Sequence, residues 1–335
     1  MRSTLLGCLV VVAVFGGGDR AIGQGPAQAP PQVPSATVLT AAEFDRIFNA
    51  ISNWGRWGKD DQAGTYNLIT PEKRKQAAAL VKTGQSVSLS HPVFQEKAPD
   101  VANIVLRTSH GNKVAYESVH GGAYHSHIDA LCHMQYKGKV YNGIVQKEIE
   151  LEDRCSKMAL EVYKGGFVTR GVLIDMPRFK GVPWLEPGTP VTRQDIEAWE
   201  KKTGVKVLPG DAVFLRTGRW ARRAKVGPTG FGAGDIMAGY HWSVLEWFKA
   251  RDVAIISDEG PNDVRPAFVE PALGGLLPIH IGALAGMGAV IFDGQDLDAV
   301  GELAARLNRY EFMMTAAPSV IEGATGISLN VIATF

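Results

Sequence analysis

The stretch that most constrains this chain is His120-Gly-Gly-Ala-Tyr-His125-Ser-His127-Ile-Asp129-Ala-Leu-Cys-His133, which gathers four of the eight histidines of the sequence and an aspartate into fourteen residues. In an extended segment side chains alternate between faces, so His125, His127 and Asp129 project to one side while Ser126, Ile128 and Ala130 project to the other. Imidazole nitrogen plus carboxylate oxygen on one face suits zinc, manganese or iron(II). An oxygen-only calcium cage or an all-thiolate zinc site calls for other residues. His133, four residues past Asp129, turns back toward the same centre if the strand ends near Leu131, and there it either ligates or moves protons. Any one of these histidines alone reads more simply as a strand cap or a bond to a backbone carbonyl; the cluster is what points to a metal or catalytic centre.

At 335 residues the chain forms one large or two modest domains and buries a substantial core without staples, so a metal here serves chemistry. The formal net charge is +1, from 35 basic and 34 acidic residues spread along the chain, which gives no footprint for nucleic acid. The basic group Arg216, Arg219, Arg222, Arg223 and Lys225 reads as a solvated face or an interface.

Arg2 followed by the apolar run Leu5 to Phe15 and small residues near Ala21-Ile22-Gly23 predicts a cleavable signal over residues 1–23, since eleven apolar residues are too few to span a bilayer. A lipoprotein box at Cys8 would leave too short an apolar region ahead of it. The mature protein is then expected in the periplasm or secreted, with no membrane segment. The Pro-, Ala- and Gln-rich residues 24–38 read as a disordered spacer, and residues 39–335 as the catalytic domain. After signal removal Cys132 and Cys155 remain; export permits a disulfide, a thiolate ligand or nucleophile is the sharper alternative, and a buried inert thiol at Cys132 is the simplest reading.

The run His-Ser-His-Ile-Asp-Ala-Leu-Cys-His resembles the signature H-x-G-T-H-x-D-x-P-x-H of the metal-dependent cyclase superfamily, which includes bacterial kynurenine formamidases and isatin hydrolases. His127, Asp129 and His133 stand on the last His, Asp and His of that pattern. Ser126 replaces Thr, His125 replaces Gly, Leu131 replaces Pro, and the first His falls on Ala123. One expected ligand is therefore unassigned, with His125, or less simply His120, to supply it. The resemblance extends from Trp54 to the C-terminus.

Local signals place the other elements. Thr40-Ala-Ala-Glu43 has capping-box spacing and predicts a helix to about Ser52, and Thr70-Pro71 opens a second to about Lys82. Between them, Asn53 to Gly64 reads as an ordered loop whose Trp54 and Trp57 either wall an aromatic-substrate pocket or plug a core edge. Strands are expected at Ser86–Ser90, 104–108, 113–119, Phe167–Asp175, Asp211–Thr217 and 252–257, and helices from the Thr192 cap to about Thr203 and over Trp242–Arg251. Val226 to Asp235 is a glycine-rich loop with no Gly-Lys-Ser/Thr, so it is no phosphate loop. The irregular alternation argues for a mixed α/β or α+β domain and against a doubly wound nucleotide fold. The resemblance implies a swivelling β/β/α fold in a single catalytic domain.

Leu277-Pro-Ile-His280 holds a lone histidine between apolar stretches, which must be bonded if buried. The resemblance implies that His280 and, thirteen residues on, Asp293 in place of the family's Glu complete the metal site. It also places Asp258 on a loop near the substrate, where an Asx-capped turn is the plainer account, leaves Gln295 as an alternative ligand or substrate contact, and implies a homo-oligomer.

These residues predict metal-assisted hydrolysis of an amide or cyclic amide, of the arylformamidase or isatin-hydrolase kind. A divalent metal, zinc or manganese, would be held by His125, His127, Asp129, His280 and Asp293, and His133 would carry protons. The substrate expected is a small aromatic amide or lactam. A serine hydrolase would need a Gly-x-Ser-x-Gly elbow, which the chain lacks. The rival readings are a periplasmic metal or small-ligand binding protein without catalysis, and a metal-dependent lactonase or dehydratase.

Overall fold

The strands of the structure, a computed structural model describing residues 38–93, 98–100, 106–108, 114–116, 126–152, 154–229, 235–273 and 275–335, are short except where both faces are covered. In chain order they are β1 Ser86–Ser88, β2 Leu106–Thr108, β3 Val114–Tyr116, β4 His127–Asp129, β5 Phe167–Asp175, β6 Pro190–Val191, β7 Ala212–Arg216, β8 Gly239–Tyr240, β9 Ile255–Asp258, β10 Val290–Asp293, β11 Glu311–Ala316, β12 Gly326–Ser328 and β13 Ile332–Thr334. Among the described residues one sheet takes nine of them in the order β1-β13-β11-β5-β7-β9-β10-β4-β12, with β2–β3 and β6–β8 as separate pairs. The predicted signal, the spacer as far as residue 37, His120 and His125 lie outside the described residues.

The middle of the sheet, β5-β7-β9-β10, is parallel, and its arms are antiparallel. Parallel strands need covering on both faces, and β7, β9 and β10 are buried along their whole length. The sheet must also curl. β12 and β13 stand seven places apart in the strand order, a distance of roughly 34 Å if flat at ~4.8 Å per strand. Only residues 329–331 join them, and that link spans at most about 14 Å. Leu89 draws the arms together, its N–H donating to Val331 and its carbonyl accepting from Asp296. This is a mixed α/β domain built on one curled sheet with helices packed on it, as expected.

The helices follow their caps. Thr40 accepts from Glu43 N at the start of the helix Ala41–Ile51, and Thr192 and Asp195 form a reciprocal capping box ahead of Arg193–Thr203. The helix opened by Thr70 and Pro71 ends at Ala78, short of Lys82, because the chain is drawn to the sheet edge: Thr83 and Gly84 both donate to the carbonyl of Phe335. The segment Trp242–Ala250 begins as a 3-10 turn and becomes α-helical at Leu245. No described helix is long and apolar enough to cross a membrane.

Of the basic group at 216–225, Lys225 is exposed, but three of the arginines are tied into the fold. Arg216 is bonded to Asp175 and Asp298, Arg219 donates to the Glu259 carbonyl, and Arg223 holds Asp100 with two bonds of 2.6 and 2.9 Å. Sequence spacing exposed these cations because their partners are 40 to 120 residues away in the chain, roughly, where no local pattern reaches.

Candidate metal centre

β4 carries His127 and Asp129 on one face, as its period of two requires, and pairs antiparallel with β10 so that Asp293 stands directly opposite His127. His280 arrives from another direction, on the short helix Pro278–His280 that runs on into a π-helix over Ile281–Met287. That π segment is wholly buried; Gly282 lies against Leu245, where a Cβ would come within 2.7 Å, and Gly288 ends it in a left-handed turn. Four side chains from two neighbouring strands and one helix thus converge.

The His127 Nε2 lies 3.5 Å from Asp129 Oδ1 and 3.8 Å from Asp293 Oδ2. His280 Nε2 is 3.1 Å from Asp293 Oδ2 and 3.8 Å from Asp129 Oδ2, and His133 Nε2 approaches the same Asp129 oxygen at 3.7 Å. One ligand atom each from His127, Asp129 and Asp293 fits within 4.8 Å, and all three residues are buried. Asp129 Oδ1 is a buried carboxylate oxygen without a hydrogen-bond partner. An orphaned carboxylate oxygen 3.5 Å from the His127 imidazole is costly unless a cation satisfies it, so the donor set fits a divalent metal.

Burial works against a charged His280, but the Asp293 carboxylate and hydrogen bonds to Asp263 and Asp293 outweigh it and hold its pKa well above the ordinary histidine value. Against the same burial, His280 keeps the Asp293 carboxylate below its usual pKa. Burial, reinforced by the charge of Asp293, raises the Asp258 carboxyl.

The other candidates fall at different places. Asp258 Oδ1 accepts from Gly260 N and Asn262 N, the Asx-capped turn, while its Oδ2 is buried without a partner. Gln295 donates from Nε2 to the Asp293 carbonyl, and its Oε1 is likewise unpartnered. Trp54 donates its indole N–H to the Ala285 carbonyl at 2.7 Å and packs edge-on against Phe48, and Trp57 lies under the Arg56 guanidinium. These contacts tie both indoles to the core edge and a neighbouring arginine. Cys132 pairs with Cys155 in a disulfide, with the Cα atoms 6.5 Å apart. That corrects the reading of Cys132 as a free thiol and removes it as a ligand or nucleophile.

Sequence reasoning missed Asp263 and Asn262. Asp263 Oδ2 lies 2.7 Å from His280 Nδ1, and Asn262 Nδ2 donates to Asp293. Both sit in the Asp258-Glu-Gly-Pro-Asn-Asp263 run, whose abundance of turn-forming residues masked any other role.

The family model Cyclase matches residues 81–262, more than half of the chain. The chain belongs to the Cyclase family. A crystal structure described as that of a novel cyclase is 29% identical, with a TM-score of 0.72 over 86% of this chain and 99% of that one. An isatin hydrolase bound to the product analogue thioisatinate is 17% identical, with a TM-score of 0.50 over 80% of this chain and 97% of that one, a likeness of fold. No curated protein matches. The cyclase-like fold expected from the His-Asp run is therefore shown.

Proposed function

We propose that this Cyclase-family protein is a metal-dependent hydrolase of a small aromatic amide or cyclic amide, with zinc or manganese as its metal. The observation that carries the proposal is the buried convergence of His127, Asp129, Asp293 and His280 around an unpartnered Asp129 oxygen. The fold likeness to an isatin hydrolase, which opens onto cyclic amides as a substrate class, supports the carbon-nitrogen choice.

In this reading His127, Asp129, His280 and Asp293 hold the cation, joined by His125 from the segment outside the described residues. When bound, a divalent cation supplies Lewis acidity for the carbonyl and makes water acidic near neutral pH. His133 differs from the other four: its side chain is 26% exposed, against 2–7% for them. That position, held beside Asp129 Oδ2, suits a proton carrier between attacking water and leaving nitrogen. The unpartnered Asp258 Oδ2 and Gln295 Oε1 are the polar atoms left for substrate or water, with Trp54 and Trp57 as the aromatic contacts proposed from sequence. Export to an oxidising compartment belongs to the same proposal, and the Cys132–Cys155 pair supports it.

The test is metal analysis of the purified protein followed by a panel of N-formyl aromatics, isatin-like lactams and lactones. Bound zinc or manganese with turnover of formamides or lactams is expected. Turnover of lactones alone would move the protein to the lactonase reading, and bound metal without any hydrolysis would make it a binding protein.

A further inference from the structure

The two residues that sequence reasoning passed over do more than close a turn. We propose that Asn262 and Asp263 form a clamp that fixes the ligand atoms of Asp293 and His280, an inference that rests on the metal reading above. Asn262 lies in the left-handed region, φ 57°, and from this bend the two consecutive side chains reach two different ligands.

Asn262 donates from Nδ2 to Asp293 Oδ1 and to the Phe292 carbonyl, which turns Asp293 Oδ2 toward His280 and His127. Asp263 uses both oxygens. Oδ1 accepts from Ile279 N at 2.8 Å; Oδ2 accepts from His280 N at 3.2 Å and lies 2.7 Å from His280 Nδ1. A carboxylate on Nδ1 keeps the proton there and presents Nε2 as the donor atom to a metal, the arrangement that orients histidine ligands and raises their basicity.

The clamp is itself braced. Tyr240 N donates to the Asn262 carbonyl, Asp258 Oδ1 takes Gly260 N and Asn262 N, and Gly294 N donates to Gly260. Gly239 passes so close that a Cβ there would lie 2.9 Å from the Asn262 carbonyl oxygen. Asn262 and Asp263 are at most 1% exposed, so water cannot take over their bonds.

The plainer account is that Asp263 merely caps the helix at Pro278–His280 and Asn262 merely tolerates a left-handed backbone. Two substitutions separate the accounts. Asp263→Asn keeps a cap acceptor but loses the carboxylate that faces His280 Nδ1. Asn262→Gly keeps the backbone freedom but loses the amide. The measurements are zinc affinity by competition with a chromophoric chelator, thermal unfolding of the metal-free proteins, and nitrogen-15 NMR of the histidines.

The clamp predicts that each variant binds zinc about 10–100-fold more weakly and still unfolds cooperatively without metal. It predicts a His280 Nδ1–H hydrogen-bonded to a carboxylate in metal-free wild type, a bond weakened in Asp263→Asn and kept in Asn262→Gly. Zinc affinity within twofold of wild type in both variants, or a wild-type His280 without a proton on Nδ1, would overturn it. If wild type binds no zinc, the metal reading fails separately, and the Nδ1–H signal in wild type and Asp263→Asn decides the clamp.

Discussion

Two buried polar clusters sit on different strands of the same sheet and differ in one respect. At the start of β7, Asp211 is fully buried and fully answered: it accepts from Lys73, from Arg170 through two nitrogens, and from Leu208 N, while Arg170 also reaches Glu311 and the Lys206 carbonyl. At the opposite ends of β9 and β10, where open α/β sheets place their ligands, Asp129 Oδ1, Asp258 Oδ2, Asn262 Oδ1 and Gln295 Oε1 are buried and unanswered. A satisfied network specifies a fold. An unsatisfied one is tolerated where something else completes it.

The comparison breaks most visibly through His133. His133→Ala should keep bound metal and lose about 10²–10⁴-fold in turnover, the range for general acid-base catalysis. Metal content and rate are read on the same sample; lost metal would reassign His133 as a ligand, and near-normal turnover would remove it from the chemistry.

Asp211→Asn tests the satisfied cluster. It leaves Lys73 buried without its counter-charge and Arg170 with Glu311 alone, so chemical denaturation should show a loss of roughly 3–5 kcal/mol, while metal affinity of the folded protein is unchanged. A variant as stable as wild type would dissolve the contrast.

The smallest effect sharpens the rule that an unpartnered atom alone does not make a site. His241 is buried with Nε2 unpartnered, away from any carboxylate cluster, and burial pushes its pKa down to about 4. The folded state therefore favours neutral imidazole, so its contribution to stability is complete above the unfolded value of about 6.5 and is lost as pH falls toward 4. His241→Asn keeps an acceptor for Ser243 N and removes the titration. The difference between variant and wild-type unfolding curves should shift by on the order of 1–3 kcal/mol between pH 7 and 4, with metal binding untouched. An equal pH slope in both proteins would contradict this.

What was legible in the sequence was local. Alternation put His127 and Asp129 on one face, and the Thr40, Thr70 and Thr192 caps opened helices where the structure has them. What was not legible depends on distant partners. The Lys73–Asp211 pair spans 138 residues, and the π-helix Ile281–Met287 is an apolar run without a cap, readable only once Phe48, Ile51 and Leu245 close around it. Asp263 needed His280 beside it before its charge meant anything more than a turn.

The central claim is that the unanswered cluster holds a metal, and elemental analysis of Asp129→Ala beside wild type and Asp211→Asn tests it most directly. The account predicts stoichiometric zinc or manganese in wild type and in folded Asp211→Asn, and none in Asp129→Ala. Full metal occupancy in Asp129→Ala would contradict the account.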